Sequence, residues 1–423
     1  MLIEILCTGD EILTGKTVNT NHSHIARRLG EVGLTMDWCT VVGDDRNNLQ
    51  MAFKQASARA NAVIVNGGLG PTVDDLSQEV AAETAGVELL LHDAWLDRML
   101  AFYEQRGRTM PPNNKKQAML PEGAEFIDNP VGTACGFAID IGKARFFFTP
   151  GVPREMRRMM DEQIIPRLLE MKGTTTLTRL KRFHSFGIGE SRADNMLHDI
   201  ETGANKNALK LGFQAHYPQL ETKLIAQAKT ENELEKILEP AATIVRKRLG
   251  NFIISEDEQT IEGVILEELR KRKATLATAE MFTSGAIATR LNPAPNNEDP
   301  ILRNLVSRSL LQLCQAVNLR NLPDYSACTP QVAIRIAKSL KNECNATYAL
   351  ATLIELDADT EQIESGGNIH IGLATPKGTF SRHARMLGGN EWIRLGATDL
   401  TLDVFRRYLQ KLPIEERIDF EKR

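Results

Sequence analysis

The stretch Ala62-Val63-Ile64-Val65-Asn66-Gly67-Gly68-Leu69-Gly70-Pro71-Thr72-Val73-Asp74-Asp75 decides how the rest of the chain is read. Its apolar start reads as a buried strand, and a helical pattern runs from Leu76 to Ala85. Strand, glycine-rich turn, helix is an arrangement that holds phosphates. Glycines let backbone N–H groups approach an anion, and the helix start adds a favourable dipole. The adjacent carboxylates of Asp74 and Asp75 stand where a divalent cation on that phosphate belongs. Helix capping competes for them, because Thr72 with Asp75, or Asp75 with Gln78, fits a capping box. The pair therefore reads as one structural and one metal-facing acid.

Upstream of this stretch, Leu2 to Leu6 and Cys39 to Val42 read as strands, and Asn21 to Val32 and Asn47 to Ala60 as helices. Downstream, Ala144 to Phe148 reads as a strand and Pro153 to about Met171 as a helix. Repeated β-α units predict an α/β domain with a doubly wound, mainly parallel sheet. Ligands of such sheets bind beyond the carboxyl ends of the strands. That rule selects the loops Thr8 to Gly15, Gly43-Asp44-Asp45, Gly67 to Asp75 and Thr149 to Pro153, with Asn129 to Gly136 placed to close over them. Asp10, Glu11, Asp44, Asp74 and Asp75 then crowd one rim, which is unfavourable unless a cation is present.

A second segment is a small α+β module: a strand (Leu180 to Phe186), a helix to Ile200, two strands (Leu209 to Gln214, Glu221 to Ala228) and a helix (Glu231 to Leu249). It reads as a linker or dimerisation module. The third segment has a helix (Ile261 to Arg272), a strand (Ala274 to Ala277), and Glu280 to Gly285 opening another helix. Thr329-Pro330 is a helix start, with a hydroxyl cap and proline in the first turn. Strands Ala346 to Ile354 and Asn368 to Ala374 follow, the latter in a hairpin with Thr379 to Met386. A last helix covers Glu391 to Leu409, and Asn292 to Asp299 reads as a loop.

Composition sets the outer bounds. The 423 residues suggest about three domains, and 42% hydrophobic with 25% charged residues is ordinary for a soluble globular protein. A net charge of −4 leaves no basic footprint, so nucleic acid is not the expected partner. The six cysteines form no C-x-x-C pair, which suggests reduced thiols in the cytoplasm. No secretory signal or membrane-spanning stretch is expected.

The first-segment loops carry a resemblance. Thr8-Gly9-Asp10-Glu11 with Asn19-Thr20-Asn21, the Gly67 to Asp75 loop, Asn129-Pro130-x-Gly132-Thr133-Ala134-x-Gly136-Phe137, and Phe148-Thr149-Pro150-Gly151-Val152-Pro153-x-Glu155 resemble the competence/damage-inducible CinA family. The resemblance implies a MoaB/MogA-like, molybdopterin-binding-like domain over 1–172, a KH-like α+β module over 173–256, and a second α/β domain over 257–423 that resembles a nicotinamide-mononucleotide deamidase. It implies a metal-dependent pyrophosphohydrolase acting on ADP-ribose or a related nucleotide diphosphate, and a homodimer. In that reading Asp10, Asp74 and Asp75 are catalytic, and Asp10, Asp44 and Asp74 hold Mg²⁺, Mn²⁺, Co²⁺ or Ni²⁺. Gly67, Gly68, Gly70, Thr72, Thr133, Gly151 and Lys116 hold the phosphates.

The third segment departs from the active deamidase pattern. Active relatives carry Glu-Ser-Cys-Thr-Gly-Gly, with the serine as nucleophile. Here the stretch is Glu280-Met281-Phe282-Thr283-Ser284-Gly285, so Met281 stands in that place, with Phe282 and Ser284 also substituted. Methionine has no ionisable group to attack an amide. A Tyr-Ser-Asn-Glu-x-Lys motif counts onto Arg308 to Leu313, without tyrosine or lysine. Deamidase activity is therefore not expected. A non-catalytic nucleotide- or pterin-binding scaffold is the first alternative to the hydrolase, and a nicotinamide-nucleotide amidase the second.

Overall fold

A computed structural model describes residues 1–173, 176–201, 208–292, 299–319, 327–357 and 365–422. It divides into two compact units, Met1–Arg179 with Gln227–Glu231, and Leu180–Ala226 with Asn232–Arg423.

The first unit is an α/β domain. In chain order it contains β1 (Ile3–Thr8), α1 (Asp10–Leu13), α2 (Thr20–Glu31), β2 (Met36–Val42), α3 (Arg46–Arg59), β3 (Ala62–Asn66), α4 (Ser77–Ala85), β4 (Leu89–Leu91), α5 (Asp93–Glu104), β5 (Met119–Pro121), β6 (Glu125–Ile127), β7 (Gly136–Ile141), β8 (Ala144–Thr149), α6 (Pro153–Met159) and α7 (Ile165–Lys172). The main sheet has the order β2-β1-β3-β8-β7-β6. Strands β2, β1, β3 and β8 are parallel, with Ile5 beside Cys39 and Ile64, and Val65 beside Phe148. Strands β7 and β6 add an antiparallel edge that the sequence reading did not contain. Their alternation is masked because β7 is buried at every position but Asp140. The helix expected from Pro153 to about Met171 is continuous from Pro153 to Lys172 and widens to π geometry over Met160–Ile164.

Local chemistry explains the element starts. Asn19 caps α2 by accepting from His22 N at 2.9 Å, and Asp45 caps α3 by accepting from Asn48 N at 2.9 Å. Helix α2 then buries Ile25 and Leu29 against one face of the sheet. On the other face Phe53 of α3 meets Phe146 and Phe148 edge-on, each with centroids 5.7 Å apart. Glu4, in the middle of β1, is fully buried and is held by Arg59, with Nε at 2.8 Å.

The second unit holds both segments read as the middle and last domains. It contains most of β9 (Leu177–Phe186), then α8 (Glu190–Leu197), β10 (Leu209–His216), β11 (Gln219–Ala228) and α9 (Glu231–Leu249). There follow β12 (Ile253–Glu256), α10 (Ile261–Lys271), β13 (Leu276–Met281), α11 (Ala286–Leu291), β14 (Ile301–Ser307), α12 (Leu310–Ala316), α13 (Pro330–Glu343), β15 (Tyr348–Leu356), β16 (Gly366–Thr375), β17 (Gly378–Leu387) and α14 (Asn390–Gln410). A four-stranded sheet runs β10-β11-β9-β12 and a five-stranded one β14-β13-β15-β16-β17. The strand expected over Ala274 to Ala277 is β13, shifted toward the carboxyl end, and β14 is an edge strand the reading lacked. The Asn- and Pro-rich loop falls, over 293–298, outside the described residues. Thr329 caps α13 by accepting from Val332 N at 3.2 Å.

One side chain of this unit makes its stability depend on pH. His370 of β16 is buried and stacks on His383 of β17, with centroids 4.8 Å apart. Burial first, and then the His383 charge, push His370 from 6.5 down to about 4. The unfolded chain binds this proton more tightly than the folded one. The stabilisation is therefore complete above pH 6.5 and is lost as pH falls toward about 4. Acidifying from pH 7 to 5 is expected to cost the unit about 1 kcal/mol through this group, after allowing for water near the ring. Comparing the melting of the unmodified protein and His370→Gln at both pH values checks this. Equal pH slopes in the two proteins contradict it.

Candidate functional site

A cavity of about 490 Å³ opens beyond the carboxyl ends of β1, β2, β3 and β8. Each selected loop supplies part of its wall: Thr8, Gly9 and Glu11 after β1, Asp44 after β2, Gly67 to Pro71 with Asp74 and Asp75 after β3, and Pro150 to Pro153 with Glu155 after β8. Thr133 and Ala134 of the loop preceding β7 close it. Its size suits a nucleotide-sized ligand.

The glycine turn is shaped by close approach. Gly67 and Gly68 have φ of 114° and 68°, and a Cβ on Gly67 would lie 2.6 Å from Thr8 Oγ1. Ser77, the first residue of α4, donates its hydroxyl to Gly67 O at 3.0 Å and its N–H to Gly68 O at 3.1 Å. The Asp75–Gln78 capping box does not form, and of the Thr72–Asp75 box only the half in which Asp75 accepts from Thr72 N is made, ahead of α4 rather than at its cap. Leu76 occupies the cap position of α4 without a side-chain bond, and Gln78 turns toward Lys116 O. The reason is that Asp75 is already committed three residues upstream, accepting from Thr72 N at 2.9 Å and from the Thr72 hydroxyl. Asp75 thus closes the turn, although it also reaches the cavity wall. Asp74 is exposed and lines the cavity, and the Thr72 hydroxyl, followed by its own backbone N–H, lowers its carboxyl.

The other acids divide similarly. Asp10 does not line the cavity. It exchanges bonds with the next loop, Asp44 N donating to its Oδ1 at 3.3 Å and its own N–H donating to Asp44 Oδ2 at 3.1 Å. Glu11 takes its place on the wall. Burial first, then the Asp10, Glu11 and Asp74 charges, raise the Asp44 carboxyl, against the Asp10 N–H that lowers it. Among the described residues no group of three or more His, Cys, Asp or Glu is placed to hold an ion. This differs from the three-acid set Asp10, Asp44 and Asp74 read from the sequence. The ionisable side chains that line the space are all carboxylates, the oxygen donors a hard cation takes, and they repel one another without one.

Of the expected phosphate contacts, Gly67, Gly68, Gly70, Thr133 and Gly151 line the cavity, but Thr72 and Lys116 do not. Lys116 is engaged by Glu79 at 3.2 Å and by Thr72 O at 3.2 Å, so it braces the turn from outside. Thr133 donates its hydroxyl to Gln117 Oε1 at 3.2 Å. A polar network missed by the sequence reading forms the floor. Asn66 Nδ2 donates to Pro150 O at 2.7 Å and Thr149 Oγ1 at 3.0 Å, while Asn21 Nδ2 donates to Asn66 Oδ1 at 2.9 Å and Gly151 O at 2.7 Å. The signal for Asn66 was a polar residue closing an otherwise apolar strand.

In the last domain Met281 is buried in an apolar cluster. Phe282 and Ser284 adopt φ of 73° and 57°, unusual for residues with side chains. Glu280 is consumed locally, accepting from Ala288 N at 2.9 Å, Ile287 N at 3.2 Å and the Thr283 hydroxyl. No helix among the described residues is long and apolar enough to cross a membrane.

Comparisons with known proteins match the same three parts. Residues 4–170 match a probable molybdopterin binding domain, 180–255 the KH domain of the damage-inducible protein CinA, and 258–409 the CinA C-terminal domain. A CinA-like protein of Shewanella sediminis is 34% identical over 414 residues, covering 97% of this chain and 96% of the relative. One of Geotalea uraniireducens is 32% identical over 422 residues, covering 99% and 100%. Among solved structures, a protein CinA of unknown function from Thermoplasma acidophilum is 32% identical over 40% of this chain and 96% of its own, with a TM-score of 0.34.

Proposed function

The chain belongs to the CinA family, and from that premise we propose that its first domain is a metal-dependent pyrophosphohydrolase acting on ADP-ribose or a related nucleotide diphosphate. The observation that supports this reading most is the meeting of bare glycine-turn backbone with Glu11, Asp44 and Asp74 around one cavity. The glycine turn holds phosphate oxygens through its N–H groups. Asp44 and Asp74 are the residues that would hold the cation, beside the phosphates the glycine turn receives. A divalent ion held there would supply positive charge that neutralises and polarises the phosphoryl group. Asp75 and Lys116 keep the turn in place. Asp10 holds the loops after β1 and β2 together.

The lack of a three-donor group among the described residues favours a second reading, a non-catalytic nucleotide- or pterin-binding scaffold. One experiment separates the two. Full-length protein incubated with ADP-ribose and Mg²⁺, Mn²⁺, Co²⁺ or Ni²⁺ is expected to release AMP and ribose 5-phosphate. Binding of ADP-ribose without turnover under every metal supports the scaffold instead. Release of ammonia from nicotinamide mononucleotide is not expected, because the buried Met281 thioether offers no nucleophile.

A further inference from the structure

We infer that Glu155, at the start of α6, is the general base of the cavity, taking the proton of the water that attacks the diphosphate. The inference rests on the hydrolase reading above. Glu155 lines the cavity and is half-buried, yet no Lys, Arg or His among the described residues forms an ion pair with it. A carboxylate left without a cation in such a place weakens the fold rather than supporting it. It is nonetheless held firmly. Asn129, fully buried, donates Nδ2 to Glu155 Oε2 at 2.7 Å and to Ala134 O at 2.7 Å, which orients the carboxylate from the loop that closes the cavity. Gly132 of that loop leaves the space the carboxyl occupies, since a Cβ there would collide with it.

The surrounding charges leave it free to accept a proton. Glu11, Asp44, Asp74 and Asp75 share the wall. Of the basic groups on α6 and α2, Arg158 pairs with Glu162, Arg28 with Glu31 and Asp161, and Arg27 with Glu31. The Arg157 charge acts on His24, Arg154 is exposed and His22 is half-buried. Burial raises the Glu155 carboxyl, against the Asn129 bond that lowers it. This moves it toward the working range of a general base.

The step balances without a further reactant. The water oxygen bonds to phosphorus as one water proton passes to Glu155. The bridging P–O bond breaks, and its electron pair leaves on the departing monophosphate. Glu155 then returns its proton to that phosphate or to solvent.

The test uses the full-length protein with ADP-ribose and Mg²⁺ or Mn²⁺ across pH 5 to 9. Glu155→Gln keeps the Asn129 contact in shape, and it is expected to lower kcat about 10²- to 10³-fold. Its ADP-ribose Kd should change less than about 3-fold, its melting temperature should not fall, and the acid limb of the kcat profile should disappear. Glu155→Asp should recover part of the rate. Gly132→Ala, which displaces the carboxyl, should lower kcat while leaving the melt intact. An unchanged rate and acid limb in Glu155→Gln, or a loss of binding as large as the loss of rate, overturns the role of Glu155 alone. Absence of turnover by the unmodified protein overturns the hydrolase reading, and this assignment with it.

Discussion

Asp74→Asn is expected to reduce ADP-ribose hydrolysis about 10³-fold, on the order of 4 kcal/mol of transition-state stabilisation, while leaving the melting temperature essentially unchanged. Asp74 is exposed and lies on the cavity wall, so little packing depends on it. Its carboxyl lies below the ordinary carboxylate range, and like any exposed aspartate it is charged at neutral pH. Asp75→Asn should behave differently. Asp75 accepts from Thr72 N at 2.9 Å and from its hydroxyl, closing the turn that presents the glycine amides. Its amide replacement should cost about 1 kcal/mol of stability and lower turnover less, about 10-fold, by loosening the loop. Parallel measurement of kcat and melting for the two variants decides the assignment. Undiminished turnover in Asp74→Asn would falsify the placement of the cation.

Asp403→Ala should destabilise the second unit by about 3–5 kcal/mol, lowering its melting transition by roughly 10 °C. Asp403 lies on α14 with only 2% of its side chain exposed, between Arg406 and Arg407, each equally buried. Arg406 Nη2 approaches its Oδ1 at 2.6 Å and Arg407 Nε its Oδ2 at 2.6 Å. Burial acts against the Arg407 charge, but Asp403 and Glu416 outweigh it and hold its proton more tightly than usual. Removing Asp403 leaves two guanidinium groups in a place with little water. Arg406 then keeps Asn251 O at 2.8 Å and Gln410 Oε1 at 2.8 Å, and Arg407 keeps Glu416 and Pro413 O at 3.1 Å. The size of the effect comes from the stranded charges rather than from the ion pair itself. Replacing all three at once by apolar residues of similar volume should therefore cost less than the single change. Thermal or denaturant melting of the single and triple variants checks this, and a loss below about 1 kcal/mol in Asp403→Ala contradicts it.

The site was legible where its chemistry is local. Gly67, Gly68 and Gly70 announced a tight backbone approach, and the strand-end rule correctly grouped loops separated by long stretches of chain. Side-chain allegiance was not legible. Asp10 and Glu11 are neighbours in sequence, yet Glu11 reaches the cavity and Asp10 turns to the Asp44 loop. Lys116 looked free for phosphate but is taken by Glu79 and Thr72. Such choices depend on which partner lies within hydrogen-bond distance after folding, and spacing carries no record of it.

Local sequence determined the β-α alternation, the capped helix start at Thr329 and the glycine turn, because each depends on residues within a few positions of one another. Only the tertiary structure decided the antiparallel edge of β7 and β6, the Asn21–Asn66 floor, the clamp of Asn129 on Glu155, and the buried Arg406–Asp403–Arg407 group. In each of these, burial removes competing water and makes one polar partner decisive, and which partner that is follows from packing across the domain.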